Sequence, residues 1–304
     1  MHKKAIITTF NKRLFDEYAH QMIRTYIDTQ QDVPLYVYVE DDPSQYPAYE
    51  NVTFKSLFKA EPECEKFVKR NEGREVVDFL KDAVRFNYKV FAQTAAHKLA
   101  EKIYYVDSDS VFMQKIPEQW YEQCLPDDVF ISFYHRPKQF TETGFVAFNN
   151  MIPIADKFYQ MYKGMYINDT VYHLQHYTDC HTLDNTRLNL LDEDTYKEKH
   201  LGDGENGHIM ARDKFINPYL DHRKGPRKAQ ANSPEWKRNR WLKMINVFIG
   251  YDNKERVAYN VLSHSIIQNS TKPVAITPIA LNNLKDDFVR ERNNLSSTEF
   301  SFSR

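Results

Sequence analysis

The sequence predicts an α/β fold in which a mostly parallel sheet is flanked by helices. Two short apolar runs, Ala5–Phe10 and Leu35–Val39, are typical of buried strands and enclose a helical pattern over residues 16–29. A third apolar run, Ile103–Val106, follows another long helical pattern. Strands that alternate with helices form parallel sheets covered on both faces, so we expect function beyond the carboxyl ends of these strands.

The remaining pattern continues this alternation. A long helix is predicted over 75–101, with apolar side chains spaced by threes, fours and a seven. Strands over 128–133 and 144–149 follow, and then an aromatic-rich helix over 154–166. The segment from Tyr172 to Leu191 is polar and contains several His and Asp residues.

Composition limits the classes of protein that fit. The 304 residues are 41% hydrophobic and carry a net charge of -1, so nothing favours nucleic acid as a partner. Cys64, Cys124 and Cys180 are few and odd in number, which fits a reducing compartment. The sequence shows no secretory signal and no apolar run of membrane-spanning length. We therefore expect a cytoplasmic protein without a transmembrane segment, and its oligomeric state stays open.

Two carboxylates follow the strand at 103–106. Asp107 and Asp109 are separated by one residue, so in an extended chain both side chains project to the same side. Carboxylate oxygens are the ligands that Mg²⁺ and Mn²⁺ favour. The motif therefore predicts a divalent-metal site, and a diphosphate is a common partner of such a metal.

A strongly basic segment lies far downstream. Residues 220–228 read Leu-Asp-His-Arg-Lys-Gly-Pro-Arg-Lys, with four Lys and Arg side chains and a turn-forming Gly-Pro pair. The pattern predicts a loop that folds over an anionic ligand, and it argues against a core segment.

The D-x-D motif and the later H-x-x-G-x-x-K element, His222, Gly225 and Lys228, together resemble the GT-A glycosyltransferases, especially the glycogenin-like family 8. The resemblance covers about residues 1–230. It implies that Asp107, Asp109 and His222 bind Mn²⁺ (or Mg²⁺) and that Lys228 contacts a phosphate. It also implies a nucleotide-diphosphate sugar as donor, a carbohydrate or other hydroxyl as acceptor, and a role in glycan or surface polysaccharide synthesis. The donor base, the sugar, the acceptor and the stereochemical outcome stay open.

The same resemblance suggests further site residues. Lys81 and Arg85 lie one turn apart on the predicted helix, where related enzymes place a basic residue against the donor phosphates, and Arg85 is the stronger candidate. Thr8 and Gly225 are further expected donor contacts, and Asp179 echoes a sugar-binding acidic motif of the family. The sequence departs from family 8 at Ala229-Gln230, where that family usually has Pro-Trp.

The carboxy-terminal quarter repeats the opening pattern. After a predicted linker over 236–243, strands near 245–252 and 273–279 enclose a helical pattern. We therefore predict a GT-A domain over 1–235 and an incomplete second GT-A-like βαβ module over 244–304. The run Ser297–Arg304 resembles the segment that precedes the helix leading to the D-x-D motif of such a module. The alternative is that residues 244–304 are an accessory α/β extension.

Two other functions fit parts of the sequence. Residues 107–111 also match the D-x-D-x-[TV] signature of haloacid-dehalogenase-like phosphatases, in which the first Asp is a nucleophile. Asp286 and Asp287 could supply the further acidic pair of such an enzyme. A carbohydrate-binding protein that has kept the fold and lost turnover is the third possibility.

Overall fold

The computed structural model describes residues 2–191, 196–202, 204, 206–229, 245–270 and 274–280. The chain divides into two compact units, residues 1–233 and 234–304, which are described separately. The predicted linker over 236–243 lies outside the described residues, as do the run Ser297–Arg304 and the pair Asp286-Asp287.

The first unit is built from strands and helices that alternate along much of the chain. Its described strands are β1 (His2–Phe10), β2 (Leu35–Val39), β3 (Val52–Ser56), β4 (Ala100–Val106), β5 (Ser110–Phe112), β6 (Ile131–Tyr134), β7 (Glu142–Asn149), β8 (Glu198–His200) and β9 (Leu220–His222). Its described α-helices are α1 (Lys12–Leu14), α2 (His20–Asp28), α3 (Leu57–Ala60), α4 (Pro62–Asn71), α5 (Ala83–Ala95), α6 (Glu118–Cys124), α7 (Ala155–Ile167) and α8 (Asp179–Leu191). A π-helical segment, Phe15–Ala19, joins α1 to α2.

A seven-stranded sheet forms the centre of this unit, in the order β3-β2-β1-β4-β7-β6-β8. The first four of these strands are mutually parallel, whereas β7 is antiparallel to both β4 and β6. The predicted fold class, a mostly parallel sheet flanked by helices, is confirmed. Because β1, β2 and β4 run in the same direction, their carboxyl ends lie at one edge of the sheet.

Both faces of the sheet are buried, which explains why its strands are apolar at consecutive positions. On β1, Ile6 and Ile7 are 1% and 0% exposed and pack into separate clusters on opposite faces. On β4, Tyr104 and Tyr105 divide in the same way. The carboxyl ends of β1 and β4 are therefore held in place from two sides.

The helix predicted over 75–101 is shorter than expected. Only α5 is helical at this point, a separate 3₁₀ turn covers Phe79–Lys81, and β4 begins soon after α5. Asp82 explains the break, because its carboxylate accepts a hydrogen bond from the backbone N–H of Arg85 at 3.0 Å and so caps α5. Lys81 and Arg85 therefore do not lie on one continuous helix.

The basic segment is also more structured than predicted. Leu220–His222 form β9, which pairs antiparallel with β5 and is buried. The buried carboxylate of Asp221 is compensated by Arg227, whose guanidinium lies 2.7 Å away. The prediction that 220–228 is not a core segment is thus wrong for β9, and the turn that follows is half-buried, with only Gly225 exposed among its described side-chain positions.

The described part of the second unit is a βαβ segment. It consists of β10 (Ile245–Tyr251), α9 (Arg256–Asn269) and β11 (Val274–Ala280), and the two strands are parallel. The predicted order of strand, helix and strand is present, while the assignment of a second GT-A-like module stays a prediction. Across the described residues, no helix combines the length and the apolar character that crossing a membrane requires.

Candidate functional site

The turn between β4 and β5 presents the two carboxylates of the D-x-D motif. Asp107 follows the last residue of β4, and its backbone N–H donates to the Gly144 carbonyl on β7 at 2.8 Å. The Ser110 N–H closes the turn by donating to the Asp107 carbonyl at 2.9 Å. On the far side, the Arg223 N–H donates to the Asp109 carbonyl at 2.9 Å. The backbone that carries both carboxylates is therefore fixed by one hydrogen bond within the turn and by two neighbouring segments, β7 and the residues after β9.

His222 reaches this turn from β9. The register of the β5–β9 ribbon places His222 directly opposite Ser110, one residue beyond the motif. Its Nε2 atom lies 3.0 Å from Asp109 Oδ1 and 3.6 Å from Asp107 Oδ2, and its side chain is 1% exposed. More than 100 residues of chain thus separate groups that lie in contact.

Gly144 makes room for the imidazole. A Cβ atom at this position would lie 2.4 Å from His222 Cε1 and 2.6 Å from Nδ1. Any side chain here would therefore displace the ring. The glycine on β7 is as much a part of the local geometry as the histidine on β9.

The three side chains suit a divalent cation. One ligand atom from each of Asp107, Asp109 and His222 lies within 4.8 Å of the other two, the only such group among the described residues. Both ring nitrogens of His222 are buried, and Nδ1 makes no hydrogen bond with any described residue. Nε2 faces the two carboxylates, with Asp109 Oδ1 at 3.0 Å, so a cation between them would be shared by all three side chains. Two carboxylates and one imidazole fit Mn²⁺ well and Mg²⁺ acceptably.

Two lysines flank the carboxylates. Lys228 Nζ lies 3.0 Å from Asp109 Oδ2, and the same ammonium lies over the ring of Tyr18. Lys89 Nζ, from α5, lies 2.7 Å from Asp107 Oδ1 and 2.7 Å from Asp179 Oδ2. Asp179 also accepts a hydrogen bond from the Thr143 hydroxyl. A connected row of charges therefore runs from Lys228 to Asp179.

Electrostatic interactions in this row shift the pKa values of Asp109, Lys228 and Lys89 toward their charged forms. Burial alone would raise the pKa of Asp109, but His222 and Lys228 outweigh it and hold that pKa well below its ordinary value. Burial opposes the charge of Lys228 as well, yet Asp109 raises the pKa of this ammonium. For Lys89, burial is again outweighed, because its two carboxylate partners raise its pKa well above the ordinary value.

A cavity of about 1180 Å³ lies at the carboxyl edge of β1, β2 and β4, and it is lined by Lys89, Asp107, Asp109, Asp179 and Lys228. His222 is 1% exposed and lies behind the two carboxylates, outside this lining. The volume of the cavity exceeds the usual range for a small-molecule site, so a nucleotide and a second substrate could share it. Cations on its wall come from four parts of the chain: Arg13 on α1, Arg85 and Lys89 on α5, Arg136 and Lys138 after β6, and Lys224 and Lys228 after β9. Such a distribution favours an anionic ligand.

Some predicted donor contacts reach this cavity. Gly225 lines it and has a φ of +60°, a conformation that glycine adopts without strain. Lys228 and Asp179 line it too. Arg85 is exposed at its wall, where the guanidinium stacks over the Phe79 ring at 4.7 Å.

Two predicted contacts do not reach the cavity. Thr8 is 0% exposed, because neighbouring residues of a strand point to opposite faces and Thr9 is the one that lines the cavity. Lys81 lies beside a separate groove, with its ammonium over the Tyr177 ring at 4.5 Å. Neither side chain therefore lines the cavity that contains the D-x-D carboxylates, and their role as donor contacts stays a prediction.

Sequence reasoning missed three residues of this site. Lys89 lies one helical turn beyond Arg85, so the i+4 spacing of basic residues on α5 was an available signal. Glu142 is 2% exposed, and the Lys224 ammonium lies 2.8 Å from its Oε1. Burial would raise the pKa of Glu142, but Lys224 and His222 lower it to about 2. No sequence pattern marks Glu142 or Gly144, because their roles depend on how β7 meets β9.

Comparison with known proteins gives limited likenesses. No family model matches the chain. A stretch of 64 residues is 50% identical to Protein CDI of Arabidopsis thaliana. This stretch covers 20% of this chain and 25% of that protein. The chain therefore matches only about a quarter of the length of this curated relative.

Several solved structures are weakly similar. Mouse xyloside xylosyltransferase 1 in its apo form is 12% identical, with a TM-score of 0.42 over 66% of this chain and 85% of that chain. The glycosyltransferase GlyE of Streptococcus pneumoniae TIGR4 is 12% identical, with a TM-score of 0.45 over 91% of this chain and 76% of that chain. A glycosyltransferase involved in glycosylation of the major capsid of PBCV-1 is 11% identical, with a TM-score of 0.43 over 74% and 96%. Likenesses at this level do not assign a function, which must come from the site.

Proposed function

We propose that the protein is a metal-dependent glycosyltransferase that moves a sugar from a nucleotide-diphosphate donor to a hydroxyl acceptor. The observation that carries this proposal is the convergence of Asp107, Asp109 and His222 beside two lysines in a cation-rich cavity. A diphosphate is the ligand class that matches both a divalent cation and the surrounding ammonium groups.

In this proposal Asp107, Asp109 and His222 hold the cation. When bound, Mn²⁺ or Mg²⁺ acts as a Lewis acid that stabilises negative charge on the departing nucleoside diphosphate. Lys228 lies on the turn after β9, where its ammonium can pass from Asp109 to a phosphate oxygen. The φ of Gly225 lets the same turn fold closely over the ligand.

The wall formed by α5 and α8 faces the transferred sugar in this arrangement. Asp179 is 3% exposed and is held by Lys89 and by the Thr143 hydroxyl, so its carboxylate is fixed in direction. We assign Asp179 to orienting a sugar hydroxyl, because a fixed carboxylate is a strong acceptor for such a group. Arg85 lies one turn further from the metal-ligand group than Lys89, so we assign its guanidinium to the outer part of the donor or to the acceptor.

Thermal denaturation with nucleotides and metal tests the proposal. UDP, GDP, ADP and CDP are each added with Mn²⁺ or with a chelator, and we expect at least one nucleotide to stabilise the protein only when Mn²⁺ is present. A ligand at one hundred times its dissociation constant adds about 3 kcal/mol to the free energy of unfolding, which gives a clear shift. Release of sugar from the matching sugar nucleotide would then identify the donor, and no metal-dependent stabilisation by any of the four would refute the proposal.

The phosphatase alternative lacks a supporting observation. His222 lies in the acidic group, whereas the phosphatase signature calls for a further acidic pair, and Asp286 and Asp287 lie outside the described residues. Hydrolysis of a simple phosphate monoester with Mg²⁺ measures this activity directly. A non-catalytic protein would bind the nucleotide and release no sugar.

A further inference from the structure

In both carboxylates of the D-x-D motif, one oxygen faces His222 and the other faces a lysine. For Asp109, Oδ1 faces His222 Nε2 at 3.0 Å, while Oδ2 faces Lys228 at 3.0 Å. For Asp107, Oδ2 faces the same Nε2 at 3.6 Å, while Oδ1 faces Lys89 at 2.7 Å. Each carboxylate therefore turns one oxygen inward, toward the imidazole, and the other outward, toward an ammonium.

We propose that Lys89 and Lys228 couple the binding of the divalent cation to the binding of the diphosphate. They weaken the hold of the three ligands on a cation alone, and they strengthen it once a diphosphate is present. This inference rests on the proposed function and adds to it the two side chains that make the cation and the diphosphate bind together.

Charge balance is the first argument. Asp107, Asp109 and Asp179 carry three negative charges, and Lys89 and Lys228 carry two positive charges within 3.0 Å of them. One net negative charge is left for a cation that carries two positive charges. Because these side chains lie in a partly buried, low-dielectric site, repulsion between the cation and the ammonium groups is only weakly screened.

A diphosphate reverses this balance. Its negative charge gives each ammonium a new acceptor, and it neutralises the excess positive charge that the cation brings. Lys228 is suited to this exchange because its side chain is 33% exposed and lies on the turn that contains Gly225. Lys89 is 15% exposed and bridges Asp107 to Asp179, so it can lean toward Asp179 when a cation draws on Asp107.

The coupling must be reciprocal. If the diphosphate raises the affinity for the cation by some factor, the cation raises the affinity for the diphosphate by the same factor. Both lysines act through electrostatics on groups that they already contact. They therefore act on the cation through the charge they place beside the carboxylates, and in this inference Lys228 also contacts the diphosphate directly.

Binding measurements on the full chain test the inference without any need for turnover. The affinity for Mn²⁺ alone is measured by electron paramagnetic resonance of the free ion. The affinity for inorganic pyrophosphate is measured by calorimetry with and without Mn²⁺, corrected for Mn²⁺ bound to free pyrophosphate. For Lys228→Met and Lys89→Met we expect tighter binding of Mn²⁺ alone, by about fivefold or more, and a fall of similar size in the coupling factor.

Matched variants distinguish the effect of removing a positive charge beside the carboxylates from that of removing one elsewhere on the cavity wall. Lys138→Met removes an exposed cation of the same cavity wall, so it should leave the affinity for Mn²⁺ alone unchanged. Lys89→Arg keeps the charge and should restore the coupling that Lys89→Met loses. Because Lys89 is buried beside Asp179, its variants are checked by circular dichroism, and the more exposed Lys228 provides the test if Lys89→Met does not fold.

The results distinguish this inference from the proposed function. If the wild-type chain binds no Mn²⁺, with or without pyrophosphate, the proposed metal dependence fails. If the wild-type chain binds both ligands but Lys228→Met leaves both affinities unchanged, only the coupling is refuted. Weaker binding of Mn²⁺ alone by the Met variants would also overturn it, because it would show that the lysines support the metal ligands instead of opposing the cation.

Discussion

The two walls of the cavity place different groups beside the two carboxylates of the D-x-D motif. The β9 wall, residues 220–228, meets Asp109 with a buried imidazole and an ammonium, and Asp109 is left 9% exposed. The α5–α8 wall, Lys89 with Asp179, meets Asp107 with one ammonium shared between two acids, and Asp107 is 21% exposed. The β9 wall thus supplies the proposed third metal ligand, His222, whereas the α5–α8 wall supplies an ammonium shared between two acids. The two Asp residues should therefore differ in what their loss does.

The largest effect is expected at the β9 wall. Asp109→Asn removes the carboxylate that both His222 and Lys228 contact, so metal-dependent stabilisation by the nucleotide should disappear while the fold remains. Thermal denaturation with and without Mn²⁺ measures this. Asp127→Asn is the control, because Asp127 is a fully exposed surface partner of Lys102. An undiminished shift in Asp109→Asn would remove Asp109 from the site.

Gly144→Ala tests the same wall through its packing. The new Cβ would lie 2.4 Å from His222 Cε1, so the imidazole must move, and we expect loss of about 1–3 kcal/mol of stability and at least tenfold weaker Mn²⁺ binding. Urea unfolding and metal titration measure the two effects. Gly164→Ala is a matched control in α7, where the nearest atom lies 3.9 Å from the new Cβ and alanine favours the helix. Equal behaviour of the two variants would show that His222 tolerates displacement.

A residue of these walls can be predicted from the sequence only when its position depends on neighbouring residues and not on the pairing of distant strands. The apolar run before Asp107 and the two-residue spacing of the acids are local features, so β4 and the motif were predictable. His222 could be assigned only through the resemblance, because its contact with Asp109 depends on the pairing of β5 with β9. Gly144 has no sequence signal at all, since its role arises only where β7 passes behind the imidazole.

The elements that sequence reasoning missed follow the same logic. The strand β3, residues Val52–Ser56, is an edge strand in which only its first residue is buried, so it lacks a continuous apolar run. The helix predicted over 75–101 is too long because the apolar spacing continues through Asp82, which caps α5 and so ends any longer helix there. The sequence therefore gave least information on which strands lie at the edge of the sheet and on where a capping residue starts a helix.

A smaller effect is expected where the β9 wall is braced by Glu142. Burial would raise its pKa, but Lys224 and His222 lower it from 4.5 to about 2, so its stabilising contribution is complete above pH 4.5. That contribution is lost as pH falls from about 4.5 to 2. Glu142→Gln should therefore unfold more easily than the wild type at neutral pH, by up to about 3 kcal/mol, and the difference should shrink toward pH 2. Urea unfolding across this range measures it, and a difference independent of pH would exclude Glu142 as the cause.

The smallest effect is expected at Thr8, which lies behind both walls. Its side chain is fully buried, and its hydroxyl makes no hydrogen bond with any described residue. Thr8→Val replaces this hydroxyl with a methyl group of similar size, so stability should be unchanged or rise by up to about 1 kcal/mol. Nucleotide affinity should stay at the wild-type value, because Thr9 and not Thr8 lines the cavity. Urea unfolding and nucleotide titration of this single variant check both expectations. Weaker nucleotide binding by a stable Thr8→Val protein would restore Thr8 as a donor contact and would show that the cavity extends to the other face of β1.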